Sequence, residues 1–382
     1  NLYVDGRFGS FSTNFLDKKE LETLITNGIE STRYLAVDES RMLADPARYY
    51  KGGKPDLQLF DKKLYEVNPD DKVAIARAAA EEVLGKDERI ISVDSSYSDG
   101  EGSSYRLISN GFEGESKSTW FSVSASVSIK GEGEARPQDY WYDSALFYDK
   151  LTKTGIGAKA LERVLRKLGQ KKAKSGKYTM VVDPMNVGNL LSPMLSALYG
   201  SALQQKNSFL MDKLDTKVAS DLFTLRDEPH AIGANGSRYF DNEGVATEPR
   251  TVFDKGVLKT YFIDTYNGKK MDIAPTISAP SRLILTPGDK DLNGLVADIK
   301  QGILVTGFNG GNSNSSTGDF SYGIEGFLIE DGKLTQPVNE MNVTGNMVTL
   351  WNSLVAVGND PQPNRSWQIP SLVFEGVDFS GL

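Results

Sequence analysis

Alternation of apolar and polar residues is the clearest structural signal in this chain. Within residues 121–129 every second residue is apolar, and the residues between them are serines. A period of two predicts a β-strand with one buried face and one face in water. Residues 90–93 and 105–108 also favour β-strands, and the Gly-Ser stretch between them predicts turns. We therefore expect an antiparallel sheet in this part of the chain.

Helical spacing of apolar residues marks three further segments of the first half. Asp17 predicts the N-terminal cap of the first helix. Asn68 and Pro69 predict the start of the second helix, which should end near Gly85. A third amphipathic helix is expected over residues 155–168. Helices and an antiparallel sheet are thus predicted to share one domain.

The second half of the chain is predicted to be mostly β-structure. A short buried strand ends at Asp183, and a central helix follows it with an apolar stripe over residues 190–198. One further helix is expected near residues 292–300. Turn-forming residues between apolar runs predict hairpin turns at residues 254–256, 267–268 and 331–333.

These segments predict an α+β fold: an N-terminal antiparallel sheet with helices, followed by a β-rich C-terminal domain with a central helix. A chain of 382 residues favours two domains. Lysines cluster within residues 171–177, as is typical of a solvated linker, so the domains are predicted as residues 1–175 and 176–382. The chain enters a strand at once, and we expect the first domain to start upstream of Asn1.

Composition limits the possible chemistry, because the chain has one histidine, His230, and no cysteine. Most zinc sites and most nucleophilic triads use one of these residues. The net charge of −8 gives no sign of the basic surface that nucleic-acid binders carry. No run of 18 apolar residues occurs, so no membrane span is expected.

Two local motifs suggest ligand binding, and both have a simpler interpretation. Residues 289–294 match the first half of a calcium-binding loop, but Lys300 occupies the position of its bidentate glutamate, so helix capping is favoured. The glycine-rich segment 307–313 lacks the ending of a phosphate-binding loop and predicts a long mobile loop between strands. Asp183 ends a strand beside a helix start, where a functional role and capping of the next segment explain it equally well. For His230, which has no recognisable nucleophile motif as a partner, a surface or strand-end residue is the default interpretation.

Several ordered motifs resemble the TldD/PmbA family, whose members are also called modulators of DNA gyrase. The resemblance covers most of the chain. The strongest matches are residues 256–267 and 317–327, and further matches occur at residues 75–81, 94–99, 345–346, 351–352 and 355–360.

The resemblance implies an absence of catalytic residues in this chain. The catalytic member, TldD, binds zinc through a His-Glu-x-x-x-His helix and a cysteine near the C-terminus. In the matching helix the three motif positions are Ser192, Pro193 and Ala197, and no cysteine is present. The chain therefore resembles the PmbA/TldE branch, which lacks the zinc motif, and no zinc or other cofactor is expected on it.

The same resemblance implies a partner and a substrate. A PmbA/TldE chain pairs with a zinc-bearing TldD-like subunit that cleaves peptides or unfolded segments, in peptide maturation and antitoxin degradation. Asn309, Gly310, Gly311 and Asn312 are candidate residues of the substrate chamber. Whether the chain forms a homodimer when alone stays open, and neither nucleic acid nor membrane is expected as a partner.

Two other functions remain open at this stage. The chain could be a stand-alone hydrolase that uses carboxylates without a metal. It could also be a regulatory binding protein that acts on DNA gyrase. The resemblance implies a cytoplasmic protein, and an export signal ahead of Asn1 stays open.

Overall fold

The structure is a computed structural model that describes residues 1–382. The α-helices are α1 (Lys18–Thr32), α2 (Pro69–Glu81), α3 (Ile156–Leu165), α4 (Gly188–Ser196), α5 (Gly200–Gln204), α6 (Thr265–Met271), α7 (Leu292–Ala297) and α8 (Met347–Asn352). The strands are β1 (Leu2–Val4), β2 (Arg7–Gly9), β3 (Ile90–Ile108), β4 (Phe112–Ile129), β5 (Gln138–Ala145), β6 (Gly176–Val182), β7 (Leu225–Asp227), β8 (Arg250–Asp254), β9 (Val257–Leu258), β10 (Leu283–Leu285), β11 (Gln301–Ser313), β12 (Asp319–Glu330), β13 (Lys333–Asn346), β14 (Leu354–Val357), β15 (Trp367–Gln368) and β16 (Leu372–Ser380). The predicted α+β class, with an N-terminal sheet and a β-rich C-terminal region, is confirmed.

The serine-alternating segment is the middle strand of an antiparallel sheet with the order β3-β4-β5. Its apolar side chains are at most 1% exposed and pack with residues of α2 and α3. Gly157 lets α3 approach α2 closely, since a Cβ atom there would lie 1.9 Å from the carbonyl oxygen of Ala79. The period-two pattern therefore predicted both the strand and its buried face correctly.

The turns predicted within β3 are wrong, because β3 is a single strand of 19 residues. The Gly-Ser stretch pairs with β4 instead. Serine hydroxyls bond across this pair, Ser96 with Ser124 at 2.9 Å and Ser104 with Ser116 at 2.8 Å. Strand β5 pairs with β4 only over residues 121–128. The outer half of the β3–β4 hairpin is therefore a two-stranded ribbon.

The C-terminal region is built on a six-stranded sheet with the order β13-β12-β11-β6-β16-β14. Strand β13 also pairs with β16, so β13, β12, β11, β6 and β16 close into a barrel. Strand β6 runs parallel to β11 and antiparallel to β16. The predicted central helix is α4, whose apolar stripe packs into the largest hydrophobic core.

Several predicted local elements are confirmed and others are wrong. Asp17 and Asn68 cap α1 and α2 through their side chains, as predicted, although α2 ends at Glu81, before Gly85. The turns at residues 254–256 and 331–333 connect paired strands. Residues 267–268 do not form a turn, because they lie inside α6. Helices α6 and α8 were not predicted from the sequence.

Parts of the first half of the chain are buried in the C-terminal core. Tyr49 pairs with Val245, and Phe112 lies at the end of the ribbon. Tyr49 and Phe112 are 3% and 1% exposed and share a core with residues between 173 and 379. Residues 54–60, here named the strap, follow Tyr49 and run back towards β4. The domain boundary at residue 175 stays a prediction.

A buried ion cluster connects β5, α3 and β12. Asp139 of β5 is 6% exposed and accepts from Arg163 Nε at 3.2 Å. Lys167 Nζ lies 3.2 Å from the other Asp139 oxygen and 2.7 Å from Glu325 Oε1 of β12. Two cations and two carboxylates thus compensate one another away from water.

The helices of the structure are all too short or too polar to cross a lipid bilayer.

Candidate functional site

Helix α4 has two chemically different faces. Its apolar residues Leu190, Leu191, Met194 and Leu195 are at most 2% exposed and hold the helix in the core. The other face lines a cleft of about 360 Å³ between α4 and the ends of β11 and β12. The lining is uncharged and rich in hydroxyl groups: Asn189, Ser192, Pro193, Ser196, Ser313, Ser315 and Tyr322. Such a surface can hydrogen-bond a ligand's main chain without selecting a charge.

Two of the three predicted motif positions lie in this cleft. Ser192 and Pro193 line it, whereas Ala197 at the end of α4 is fully buried. The carbonyl of Ala197 accepts a hydrogen bond from Ser208 Oγ at 2.6 Å. The third position is therefore part of the packed core rather than of the cleft.

The glycine-rich segment is not a loop, so that prediction is wrong. It belongs to β11, which pairs with β12 and bulges between Phe308 and Gly311. A Cβ atom at Gly311 would lie 2.1 Å from the carbonyl oxygen of Ser321, and the backbone there has φ of +93°, so only glycine fits. The four candidate chamber residues are exposed and lead to Ser313 at the cleft: Asn309, Gly310, Gly311 and Asn312. Their role in a chamber stays a prediction.

Asp183 joins β6 to the turn before α4 and is 5% exposed. Its Oδ1 accepts from the Asn186 backbone at 3.0 Å and from Asn186 Nδ2 at 2.7 Å. Asn186 Nδ2 also donates to the carbonyl of Thr306 at 2.8 Å, which ties this turn to β11. Burial raises the pKa of Asp183 to about 6, against the lowering effects of Asn186 and of the Arg163 charge.

We expect Asp183→Asn to flatten the pH dependence of stability between about pH 4 and pH 6. Because the folded state raises the pKa of Asp183 from 3.8 to about 6, folding favours the proton, and the free energy of unfolding falls as the pH rises through this window. The amide keeps the Oδ1 acceptor and removes the buried charge. Urea titrations at several pH values should show a gain at pH 7 of up to about 3 kcal/mol.

Asp87→Asn provides a contrast of opposite sign. Arg89 lowers the pKa of Asp87 to about 2 through side-chain hydrogen bonds. The charged form of Asp87 therefore contributes stability above about pH 4, which is lost as the pH falls towards 2. Loss of stability at pH 7 is expected for this variant. If both variants changed the free energy of unfolding at pH 7 in the same direction, the raised pKa of the buried Asp183 would be contradicted.

The other sequence candidates are outside this cleft. His230 Nε2 lies 3.0 Å from Thr247 Oγ1, and burial lowers the pKa of its ring. In the calcium-like segment, Asp291 caps α7 by accepting from the Gly294 backbone at 2.8 Å. No group of three or more His, Cys, Asp or Glu side chains is arranged to hold a metal ion.

A larger cleft, of about 590 Å³, was missed by the sequence reasoning. It lies between the strap, the β3–β4 ribbon and residues 237–242. These three parts are far apart in the chain, and no motif marks any of them. Only the aromatic pair Tyr239 and Phe240, set among polar residues, gives a weak sequence signal.

Two family profiles match most of the chain. The sequence profile described as the PmbA/TldA metallopeptidase C-terminal domain matches residues 175–381. The profile of the central domain of the same metallopeptidases matches residues 62–168. The chain belongs to the PmbA/TldD family. This metallopeptidase family is the one that the sequence motifs resembled.

Individual relatives can be aligned with all or nearly all of this chain. A metalloprotease PmbA homologue of Haemophilus influenzae is 28% identical over 100% of this chain and 85% of its own length. The crystal structure of a candidate modulator of DNA gyrase from Bacteroides thetaiotaomicron is 73% identical, with a TM-score of 0.99, covering 100% of this chain and 87% of that one. TldE of Thermococcus kodakarensis, at 22% identity and a TM-score of 0.78 over 96% of this chain and 85% of that one, shares the fold.

The PmbA/TldD family implies zinc, and the residues of α4 do not fit it. Zinc in proteins is bound by cysteine, histidine or carboxylate side chains. Ser192, Pro193 and Ala197 supply none of these, and the buried Ala197 leaves no room for one. No catalytic step through a metal is therefore derived for this chain.

Restoring the PmbA/TldD zinc motif should destabilise the protein without creating a zinc site. We expect Ala197→His to lower the free energy of unfolding by about 1–3 kcal/mol, because a ring would enter a fully packed position. Ser192→His, on the exposed face of the same helix, is the matched control and should be tolerated. Stoichiometric zinc on the triple variant with Pro193→Glu, measured by elemental analysis at unchanged stability, would contradict this expectation.

Proposed function

We propose that this chain is the non-catalytic PmbA/TldE-type subunit of a heterodimeric zinc metallopeptidase. The observation that carries the proposal is the set of residues that α4 has at the metal-ligand positions. The helix keeps an open polar face towards a cleft, while the positions for metal ligands hold Ser192, Pro193 and a buried Ala197. Bond cleavage is then the task of a TldD-like partner, which carries the zinc.

The role proposed for this subunit is to enclose the substrate chamber and to hold peptides or unfolded segments. The cleft beside α4 supports that role, because its lining is uncharged and offers serine hydroxyls and an asparagine amide. These groups bond to the main chain of any sequence, which suits a peptidase that accepts diverse segments. Asn309 and Asn312, exposed on β11 next to this cleft, would extend the same surface.

The experiment is to purify this chain, a TldD-like subunit and their mixture, and to measure hydrolysis of an unfolded peptide with and without a chelator. Hydrolysis is expected only when the TldD-like subunit is present, is expected to be increased by this chain, and should stop with the chelator. Elemental analysis of this chain alone should find no stoichiometric zinc. Peptidase activity of this chain alone that persists in chelator would instead establish the metal-free hydrolase.

The description of the Bacteroides thetaiotaomicron relative favours a second candidate, a regulator of DNA gyrase. The net charge of −8 argues for contact with the enzyme rather than with DNA. A supercoiling assay with purified gyrase tests it: a change in rate on addition of this chain supports the second candidate, and an unchanged rate removes it.

A further inference from the structure

The outer edge of β4 is open along the ribbon. Strand β5 pairs with β4 only over residues 121–128, and further out the backbone N–H of Thr119 donates to Leu59 of the strap at 3.0 Å. Successive backbone groups of a strand point to opposite sides, so Glu115 and Lys117 direct their N–H and C=O groups the same way as Thr119. No backbone or side-chain partner pairs with those groups on that side.

The strap turns away from β4 at the point where the open edge begins. In the residues of the strap that precede Leu59, the carbonyl of Leu57 accepts from the Gly233 backbone at 2.7 Å, and the carbonyl of Pro55 accepts from Tyr239 Oη at 2.6 Å. These bonds hold the strap against the C-terminal region instead of against β4. The cleft of about 590 Å³ is the space left between the strap and the open edge.

The far wall of this cleft is aromatic. The ring of Tyr50 stacks on Tyr239, with centroids 5.2 Å apart and an interplanar angle of 11°, and on Phe240 at 6.1 Å and 22°. All three rings line the cleft, together with Phe60 of the strap. A ligand here would meet a row of unpaired backbone groups on one side and apolar rings on the other.

We propose that the edge of β4 at Glu115 and Lys117 binds an extended peptide segment as an added strand. Backbone donors and acceptors at two-residue intervals match the main chain of such a peptide, whereas a compact ligand would leave them unpaired. The exposed edge from Glu113 to Lys117 spans about 13 Å, enough for four or five residues. Alternate side chains of the peptide would contact the aromatic wall, so the site favours segments with aromatic or aliphatic residues at every second position.

The strap explains why a single peptide is the favoured occupant. Open strand edges pair readily with other chains unless something covers them. Here the strap lies across the cleft from the open edge, so the space beside the edge is bounded on both sides, which suits a single added strand better than the sheet of a second copy. The site is separate from the α4 cleft and shares no lining residue with it.

The test measures binding of a fluorescein-labelled octapeptide of alternating tyrosine and threonine to this chain alone, by fluorescence anisotropy. Glu115→Pro removes the outward N–H and keeps the bonds to β3, and proline is tolerated at such edge positions. We expect Glu115→Pro to weaken binding about tenfold, and Glu115→Ala, which keeps the N–H, to change it less than about twofold. Thermal unfolding of both variants checks that the fold is kept.

A second arm does not depend on any variant folding. The same octapeptide, N-methylated at alternate residues, loses the N–H groups of one edge and should bind at least about tenfold more weakly. Hydrogen exchange at the Glu115 and Lys117 amides should slow when the unmodified peptide is added. Equal binding of both peptides, unchanged exchange at these amides, or no binding of the unmodified peptide would overturn the proposal. No partner or zinc is present, so this outcome is independent of the heterodimer proposal.

Discussion

Phe112→Ala will lower the free energy of unfolding by about 3–5 kcal/mol. Phe112 sits at the end of the β3–β4 ribbon and is 1% exposed. Its ring packs against Tyr49 at 5.3 Å and Phe240 at 5.1 Å between centroids. Truncation removes this contact area and leaves a cavity, because three separate parts of the chain meet there and none can collapse into the space.

The matched control is Leu107→Ala, on the same ribbon and 70% exposed. It should change the free energy of unfolding by less than about 0.5 kcal/mol. Urea denaturation followed by tryptophan fluorescence measures both variants. Equal, small effects for Phe112 and Leu107 would show that the ribbon is not anchored in the C-terminal core.

Asp139→Ala should cost about 3–5 kcal/mol of stability, because it leaves the largely buried Arg163 without a carboxylate partner and Lys167 with one instead of two. Arg163 loses its only carboxylate contact within 4.0 Å, and Lys167 keeps Glu325 and the carbonyl of Gln138. The Asp139 side chain is 6% exposed and those of Arg163 and Lys167 are 14% and 11% exposed, so water cannot replace the lost contacts.

Two further variants separate this effect from a general loss of charge. Asp378→Ala breaks a surface pair with Lys177, whose side chains are 59% and 66% exposed, and should have no measurable effect. The double variant Asp139→Ala with Arg163→Met should recover part of the loss, because it removes one of the stranded cations. Chemical denaturation of the wild type and the three variants gives the comparison, and a double variant no more stable than Asp139→Ala alone would refute the buried-pair explanation.

Local patterns in the sequence predicted the elements whose stability is local. The alternation in β4 and the caps Asp17 and Asn68 were correct because strand faces and helix starts depend on neighbouring residues. The Gly-Ser stretch of β3 has weak strand preference on its own, and its pairing with β4, including the serine hydroxyl bonds, fixes it as a strand. Residues 267–268 were misread because Asp264 caps α6 by accepting from the Asn267 backbone at 2.7 Å.

The candidate sites, too, could be predicted where they depend on neighbouring residues and could not where they depend on contacts between distant parts of the chain. The resemblance to the TldD zinc helix named Ser192 and Pro193, which do line a cleft, and the helical periodicity of the segment predicted only the helix that holds them. Sequence reasoning misplaced the glycine-rich segment, since the glycines serve the close approach of β11 to β12 rather than a loop. It could not find the cleft under the strap, whose walls become neighbours only after the ribbon has docked.

The position of β16 has a consequence for how the protein is made. Of the sixteen strands, this one leaves the ribosome after all the others, yet it lies between β6 and β14 and also pairs with β13. Because the ribosome adds roughly 5–20 residues per second, β16 is synthesised on the order of ten to forty seconds after β6, the strand it pairs with. During that time the barrel cannot close, and the unpaired strand edges of the nascent polypeptide are accessible to chaperones. Any product terminated before Leu372 would keep that gap permanently and should be removed by quality-control proteases.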